Sequence, residues 1–190
     1  MRISGQIKLG LFLFISLASQ LAHSGDLYLT GEAGWSNFYV SEKFRPAQSS
    51  KGSFSNFAYG ISLSYTFDSS FIVAAKDTHY SAINLIGESD RAHVDETCAG
   101  AGYSFKYGEK YHIIPMLYYC NWNLEYNESS LYNISTQTTR YEGNDFILKL
   151  DFEMPWSNQD TYILSYTYGK YDFGSLHALM FGWKFHMIDF

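Results

Sequence analysis

The sequence predicts an all-β fold: an eight-stranded antiparallel transmembrane β-barrel. Three observations predict it. Long runs alternate large apolar residues with small or polar ones, connections between the runs are alternately short and longer, and aromatics reach 19%, with 17 Tyr and 15 Phe against 3 Pro in 190 residues. A period of two places successive side chains on opposite faces of a strand. Here the large residues share one face and the opposite face is narrow and polar. That inverts a soluble core and fits lipid outside with a small, filled interior.

The first segment is excluded from the fold. Arg2 and Lys8 precede and interrupt nothing in the apolar run 9–17, and Ala22, His23 and Ser24 follow it, which reads as a secretory signal peptide over 1–24 and a barrel domain over 25–190. Cleavage is expected after Ser24, with Ala22 the alternative site. No later stretch offers about 18 uninterrupted apolar residues, so a helical membrane anchor is not expected.

Each strand is justified by its own alternation. The clearest covers 55–67, where Phe57, Tyr59, Ile61, Leu63, Tyr65 and Phe67 face one way and Asn56, Ala58, Gly60, Ser62, Ser64 and Thr66 the other. After Tyr141, Phe146, Leu148, Leu150, Phe152 and Met154 alternate with Asp145, Ile147, Lys149, Asp151 and Glu153. In a barrel these charges turn inward, and Lys106, Lys184 and Glu32 are candidate partners across the lumen. Tyr162, Leu164, Tyr166 and Tyr168 form another outward series, as do Phe181, Trp183, Phe185 and Met187. Adding 27–39, 71–83, 93–107 and 111–124 completes eight strands, an even number that closes the sheet without an exposed edge. Compact turns at 68–70, 108–110 and 155–160 alternate with connections at 40–54, 84–90, 125–139 and 172–176, the last of them short. This pattern predicts periplasmic turns, extracellular loops and both mature termini in the periplasm of a Gram-negative cell.

Composition limits the partners. The formal net charge of -6 offers no general attraction to nucleic acid. No dinucleotide fingerprint, Walker motif or HExxH zinc motif is present, so no cofactor or metal is expected. His112 and His186 read as lumen-facing polar residues. Cys98 and Cys120 flank the turn at 108–110; in the register that sets Gly100 opposite Tyr118 and Gly102 opposite Met116, they face each other and are expected to form a disulfide after export.

Gly182, Trp183, Lys184, Phe185, His186 and Met187, with Phe190, look like the assembly signal of outer-membrane barrels. The sequence after the leader resembles the small eight-stranded barrels of OmpX and OmpA transmembrane-domain type. That resemblance implies a monomer in the cell outer membrane, surrounded by outer-membrane lipids and lipopolysaccharide; with the sequence stopping at Phe190, no separate peptidoglycan-binding domain is expected. Members of this broad class include adhesins, membrane stabilisers, small channels and lipid-modifying enzymes. The favoured expectation is a non-enzymatic structural or surface-binding barrel, whose extracellular loops meet a host or surface protein. Tyr39, Phe44, Tyr126, Tyr132 and Tyr141 are candidates for contacts in or near those loops. A narrow channel is one alternative, although a lumen filled by side chains favours a plug.

The other alternative is an esterase acting on lipid A or lipopolysaccharide. Phe71, Val73 and Ala75 start an outward series that Asp77, His79 and Ser81 continue, and in the hairpin register Asp95 lies opposite His79 and His93 opposite Ser81. A serine, a base and two carboxylates therefore share the outer end of one hairpin. His79, Tyr80 and Ser81 are similar to the His-x-Ser element of the lipid A 3-O-deacylase family, with Ala82 and Ile83 in place of that family's Asn-Gly. That resemblance implies His79 as base and Ser81 as nucleophile, with Asp95 or Asp77 orienting the imidazole.

Overall fold

The computed structural model describes residues 25–45, 52–82, 91–128, 137–157 and 160–189. The predicted leader, Tyr132 and Phe190 lie outside them. Eight strands close into a ring: β1 (Gly25–Val40), β2 (Ser53–Phe67), β3 (Phe71–Ala82), β4 (Arg91–Tyr103, continued by Phe105–Tyr107), β5 (Tyr111–Glu128), β6 (Gln137–Pro155), β7 (Asp160–Tyr171) and β8 (Gly174–Asp189). Every strand pairs antiparallel with its sequence neighbours, and β1 pairs with β8 to close the sheet. Closure satisfies the backbone groups that lipid cannot.

The stagger of the ring follows from the register. From Gly31, ladder partners lead through Ile61, Asp77, Thr97 and Asn121 to Asn144; in the other direction they lead through Trp183 and Tyr162 to Met154. Those two ends lie ten residues apart on β6, so the strands run tilted around the axis. Large outward residues such as Ile61, Leu148, Leu150, Phe181 and Trp183 are exposed in an apolar belt, as lipid-facing side chains are.

Two features depart from the alternation in sequence. The strand expected over 93–107 is interrupted at Ser104. In the continuing register Pro115 faces Tyr103 and brings no N–H, so the ladder lapses there, and the Ser104 N–H donates to the Ser70 carbonyl at 2.9 Å. Strands β6 and β8 also begin before the residues that carry their apolar alternation. Their outer ends present Arg140, Glu142 and Asn144, and Ser175 and His177, so hydrophobic parity fades where the sheet leaves the apolar belt while the ladder continues.

The last connection is tight. Gly174 has φ 155°, and a Cβ there would collide with the Tyr39 carbonyl, so β7 and β8 can turn against β1 only through glycine. The connection at 40–54 contains a short 3-10 turn, Glu42–Phe44.

The lumen is filled. Toward the end with the long connections, Phe38, Phe54, Trp122, Tyr126, Tyr171 and Phe173 are buried, with Trp122 and Phe173 rings edge to face at 4.8 Å. Tyr126 is therefore part of the plug and packs edge to face on Phe54; Tyr141 is half-buried against Phe44, whereas Tyr39 is exposed. Gly143 leaves room for the Trp122 ring, whose Nε1 donates to Asp145 at 2.8 Å.

Below this plug, Cys98 and Cys120 are joined in a disulfide with Cα atoms 4.0 Å apart. The expected register holds here: Gly100 faces Tyr118 and Gly102 faces Met116, and at each glycine a Cβ would overlap the opposing side chain. Next to the disulfide, the buried Glu96 carboxylate receives Lys76 at 3.4 Å and the hydroxyls of Tyr80 and Tyr171. Toward the short-turn end, Lys149 donates to Glu32 at 2.8 Å and lies 3.1 Å from Asp151, while Lys184 meets Glu153 at 2.6 Å. Lys184 and Glu32 are thus lumenal partners, as expected. Lys106 keeps its place in the ladder opposite His112 but is exposed beside the compact turn at 108–110, away from the lumenal ion pairs. A lumenal cavity lined by these groups has a volume of about 20 Å³, room for one water.

Candidate functional site

The outward face of β3 starts as ordinary lipid-facing surface, with Phe71, Val73 and Ala75, and then becomes polar at Asp77, His79 and Ser81 toward the long-connection end. On β4 the matching outward positions are His93, Asp95 and Thr97. The β3–β4 register pairs Asp77 with Thr97 and His79 with Asp95. Period-two geometry thus brings six polar side chains to one patch on the outside of the barrel.

Two hydrogen-bonded groups make up the patch. His79 Nδ1 lies 2.8 Å from Asp95 Oδ1, and its Nε2 lies 3.9 Å from Asp77 Oδ2. The Thr97 hydroxyl donates to Asp77 Oδ1 at 3.3 Å. Stacking on the Tyr59 ring, with centroids 5.2 Å apart, fixes the plane of the imidazole. The second group is Ser81 and His93, with Oγ and Nδ1 3.1 Å apart. Ser81, His79 and Asp95 line one cavity of about 210 Å³ together with His93, Tyr59 and Glu125.

The four residues singled out in the sequence therefore share one face, but their contacts divide. Ser81 meets His93, and His79 meets the two aspartates. Chemically, Ser81 with His93 is a hydroxyl beside a base. Glu125 sits opposite His93 in the β4–β5 register and carries an ion pair to Arg140 at 3.3 Å. Its outward parity with Asn121 and Asn123 is the sequence signal that would have added it to the cluster.

Among the described residues, the side chains close enough to share a metal ion are Glu96, Cys98 and Cys120, and both sulfurs are joined to one another. His112 and His186 are half-buried; His112 Nδ1 lies 2.8 Å from the Ser104 hydroxyl and His186 Nε2 lies 3.5 Å from Asp26.

No protein-family model matches the sequence, and no curated protein matches it. Solved structures do match the fold. Neisserial surface protein A superposes with a TM-score of 0.63 at 15% identity, covering 85% of this chain and 97% of that one. Ail, the attachment invasion locus protein of Yersinia pestis, gives a TM-score of 0.56 at 12% identity, covering 85% and 99%. The outer-membrane protein OprG of Pseudomonas aeruginosa gives 0.53 at 11%, covering 87% and 98%. With its closed ring and apolar belt, the chain has the fold of the small eight-stranded outer-membrane β-barrels.

Proposed function

We propose that this protein is a plugged outer-membrane barrel that acts at the cell surface, stabilising the membrane and presenting its long connections to a host or surface protein. One observation carries the reading: strands outrun the membrane at one end while the lumen beneath them is closed. About 9 to 11 residues suffice for a tilted strand to cross, whereas β5 has 18 and β6 has 19. Their outer ends carry Asn121, Asn123, Glu125, Arg140, Glu142 and Asn144 outward, a solvated extension that holds loops away from lipid. In this reading the short turns and both termini face the periplasm, lipopolysaccharide surrounds the outer half of the belt, and the barrel works as a monomer. The narrow-channel alternative draws no support from the aromatic plug or the cavity of about 20 Å³.

Removal of residues 129–136, which lie outside the described residues, tests the surface role. The shortened protein is expected to fold, as read by a gel shift between unboiled and boiled samples. Bacteria carrying it should adhere less to host cells and matrix. Equal adherence by both forms would sink the loop-binding role.

The contact between Ser81 and His93 favours a second reading, hydrolysis of an acyl ester of lipopolysaccharide at the outer face. Ser81 Oγ attacks the ester carbonyl carbon while the His93 ring takes the hydroxyl proton. Collapse of the tetrahedral species breaks the carbonyl–oxygen bond, and the alcohol leaves with that proton. Water, deprotonated by the same ring, then releases the fatty acid from Ser81. Glu125 supplies a carboxylate near the imidazolium; the alternative base is His79, held by Asp95. Acyl release from purified lipopolysaccharide should fall at least about 100-fold in Ser81→Ala and in whichever of His93→Ala and His79→Ala removes the base. Absent wild-type activity, or full activity in Ser81→Ala, rejects the hydrolase.

A further inference from the structure

The outward face of β1 changes size abruptly. Leu29 and Trp35 are large, but Gly31 and Ala33 between them are small. Their ladder neighbours are large on both sides: Ile61 and Tyr59 on β2, and Trp183 and Phe181 on β8. The result is a groove of about 620 Å³ with an almost wholly apolar lining and with Asp77 and His79 at its β3 border. A Cβ built on Gly31 meets nothing within 4 Å, so packing inside the barrel does not require glycine there. The gap is wide enough for a flexible hydrocarbon chain.

Depth decides what kind of chain. The row of ladder partners climbs ten residues toward the long-connection end in one circuit of eight strands. Asp77 stands two strands from Gly31 along that row, so two eighths of the climb, two to three residues, raise it to a level between Ala33 and Trp35 on β1. Trp35 is apolar and exposed, so this level still belongs to the outer half of the belt. A carboxylate there finds hydrogen-bond donors only in the protein or in the lipid beside it. Asp77 Oδ1 accepts from the Thr97 hydroxyl at 3.3 Å, but Oδ2 lies 3.9 Å from His79 Nε2, beyond hydrogen-bond distance. That acceptor is left for the lipid.

We propose that the groove seats one β-hydroxyacyl chain of lipid A, with the hydroxyl of the chain donating to Asp77. The groups of this lipid occur in the same order as those of the site. Hydrocarbon lies along Gly31 and Ala33, and the hydroxyl, near the carbonyl end of the chain, reaches Asp77 at the outer end of the groove. The amide N–H that joins the chain to glucosamine comes next, toward Asp95, and the sugar meets the cavity that Ser81 and His93 line. Carboxylates repel phosphate, which turns to the far border of the groove, where His177 on β8 and Lys170 on β7 face outward. A glycerophospholipid chain has no hydroxyl to offer Asp77. The inference rests on the long-connection end facing a lipopolysaccharide leaflet, and it requires no turnover at Ser81.

The test offers the folded, delipidated barrel in detergent equal amounts of two synthetic lipid A molecules, one with β-hydroxyacyl chains and one with unsubstituted chains of the same length. Retained lipid is counted by native mass spectrometry. One hydroxylated lipid A per barrel is expected, favoured about tenfold, the size of one hydrogen bond to a charged acceptor. Gly31→Leu fills the groove and should abolish retention of both lipids; Ala33→Leu gives the same readout if the first variant fails to fold. Asp77→Ala, with folding checked by gel shift, should retain the two equally. Equal retention by the unaltered protein would mean annular lipid only and would overturn the proposal. So would an undiminished hydroxyl preference in a folded Gly31→Leu or Asp77→Ala barrel. The measurement is blind to orientation and adherence, so absence of the preference in a barrel whose loops still mediate adherence sinks the groove alone and leaves the surface role standing.

Discussion

Leu63→Arg is expected to stop most of the protein from reaching the folded, heat-modifiable form. Leu63 faces outward between Leu29 on β1 and Ala75 on β3, within the apolar belt. Its direct ladder partners are aliphatic, and a cation near the lipid midplane destabilises a barrel by about 2 to 4 kcal/mol. Each 1.4 kcal/mol is about a factor of ten in the ratio of folded to unfolded protein. The same substitution at Ser69, exposed in the turn between β2 and β3, leaves arginine in water and should cost under about 0.5 kcal/mol. Unfolding in urea of the two variants, refolded into the same detergent or lipid, provides the measurement. Equal midpoints for Leu63→Arg and Ser69→Arg would mean that Leu63 does not face lipid.

Strand order, closure and the facing of most residues were legible in the sequence because a barrel wall obeys a single rule. Large residues face lipid and small or polar ones face inward, as in the alternation from Phe57 to Leu63; the burial pattern departs from it at Tyr65, which is buried. The compact turn at 108–110 fixed the register of one hairpin and placed Cys98 opposite Cys120, and a register centred on the 84–90 connection placed His79 opposite Asp95. The rule weakens where the environment stops differing across the sheet. Beyond the belt, water bathes outward Arg140 and Glu142, so the start of β6 leaves no hydrophobic trace. Partner choice within a polar group is also hidden, since two candidate histidines lie on adjacent strands and side-chain torsion decides that Ser81 meets His93.

The lumenal charges lead to the second large effect. Lys149 joins Glu32, 117 residues away in sequence, to Asp151 on its own strand, and Glu32 also accepts the Ser165 hydroxyl. All these groups are buried or nearly so. Replacing Lys149 with Met keeps the length of the side chain but leaves two carboxylates facing each other without their cation. Breaking a buried ion pair in this way typically costs about 3 to 5 kcal/mol, because the remaining charge is neither hydrated nor paired. The double variant Lys149→Met with Glu32→Gln removes one of those charges and keeps an acceptor for Ser165. It should recover a large part of the loss, so the two substitutions will be strongly non-additive. Urea midpoints of the four proteins in one lipid system give the coupling. A Lys149→Met barrel within about 1 kcal/mol of the unaltered protein, or additive losses, would show that water enters the lumen and solvates these groups, and that the aromatic plug and disulfide hold the barrel without the ion pairs.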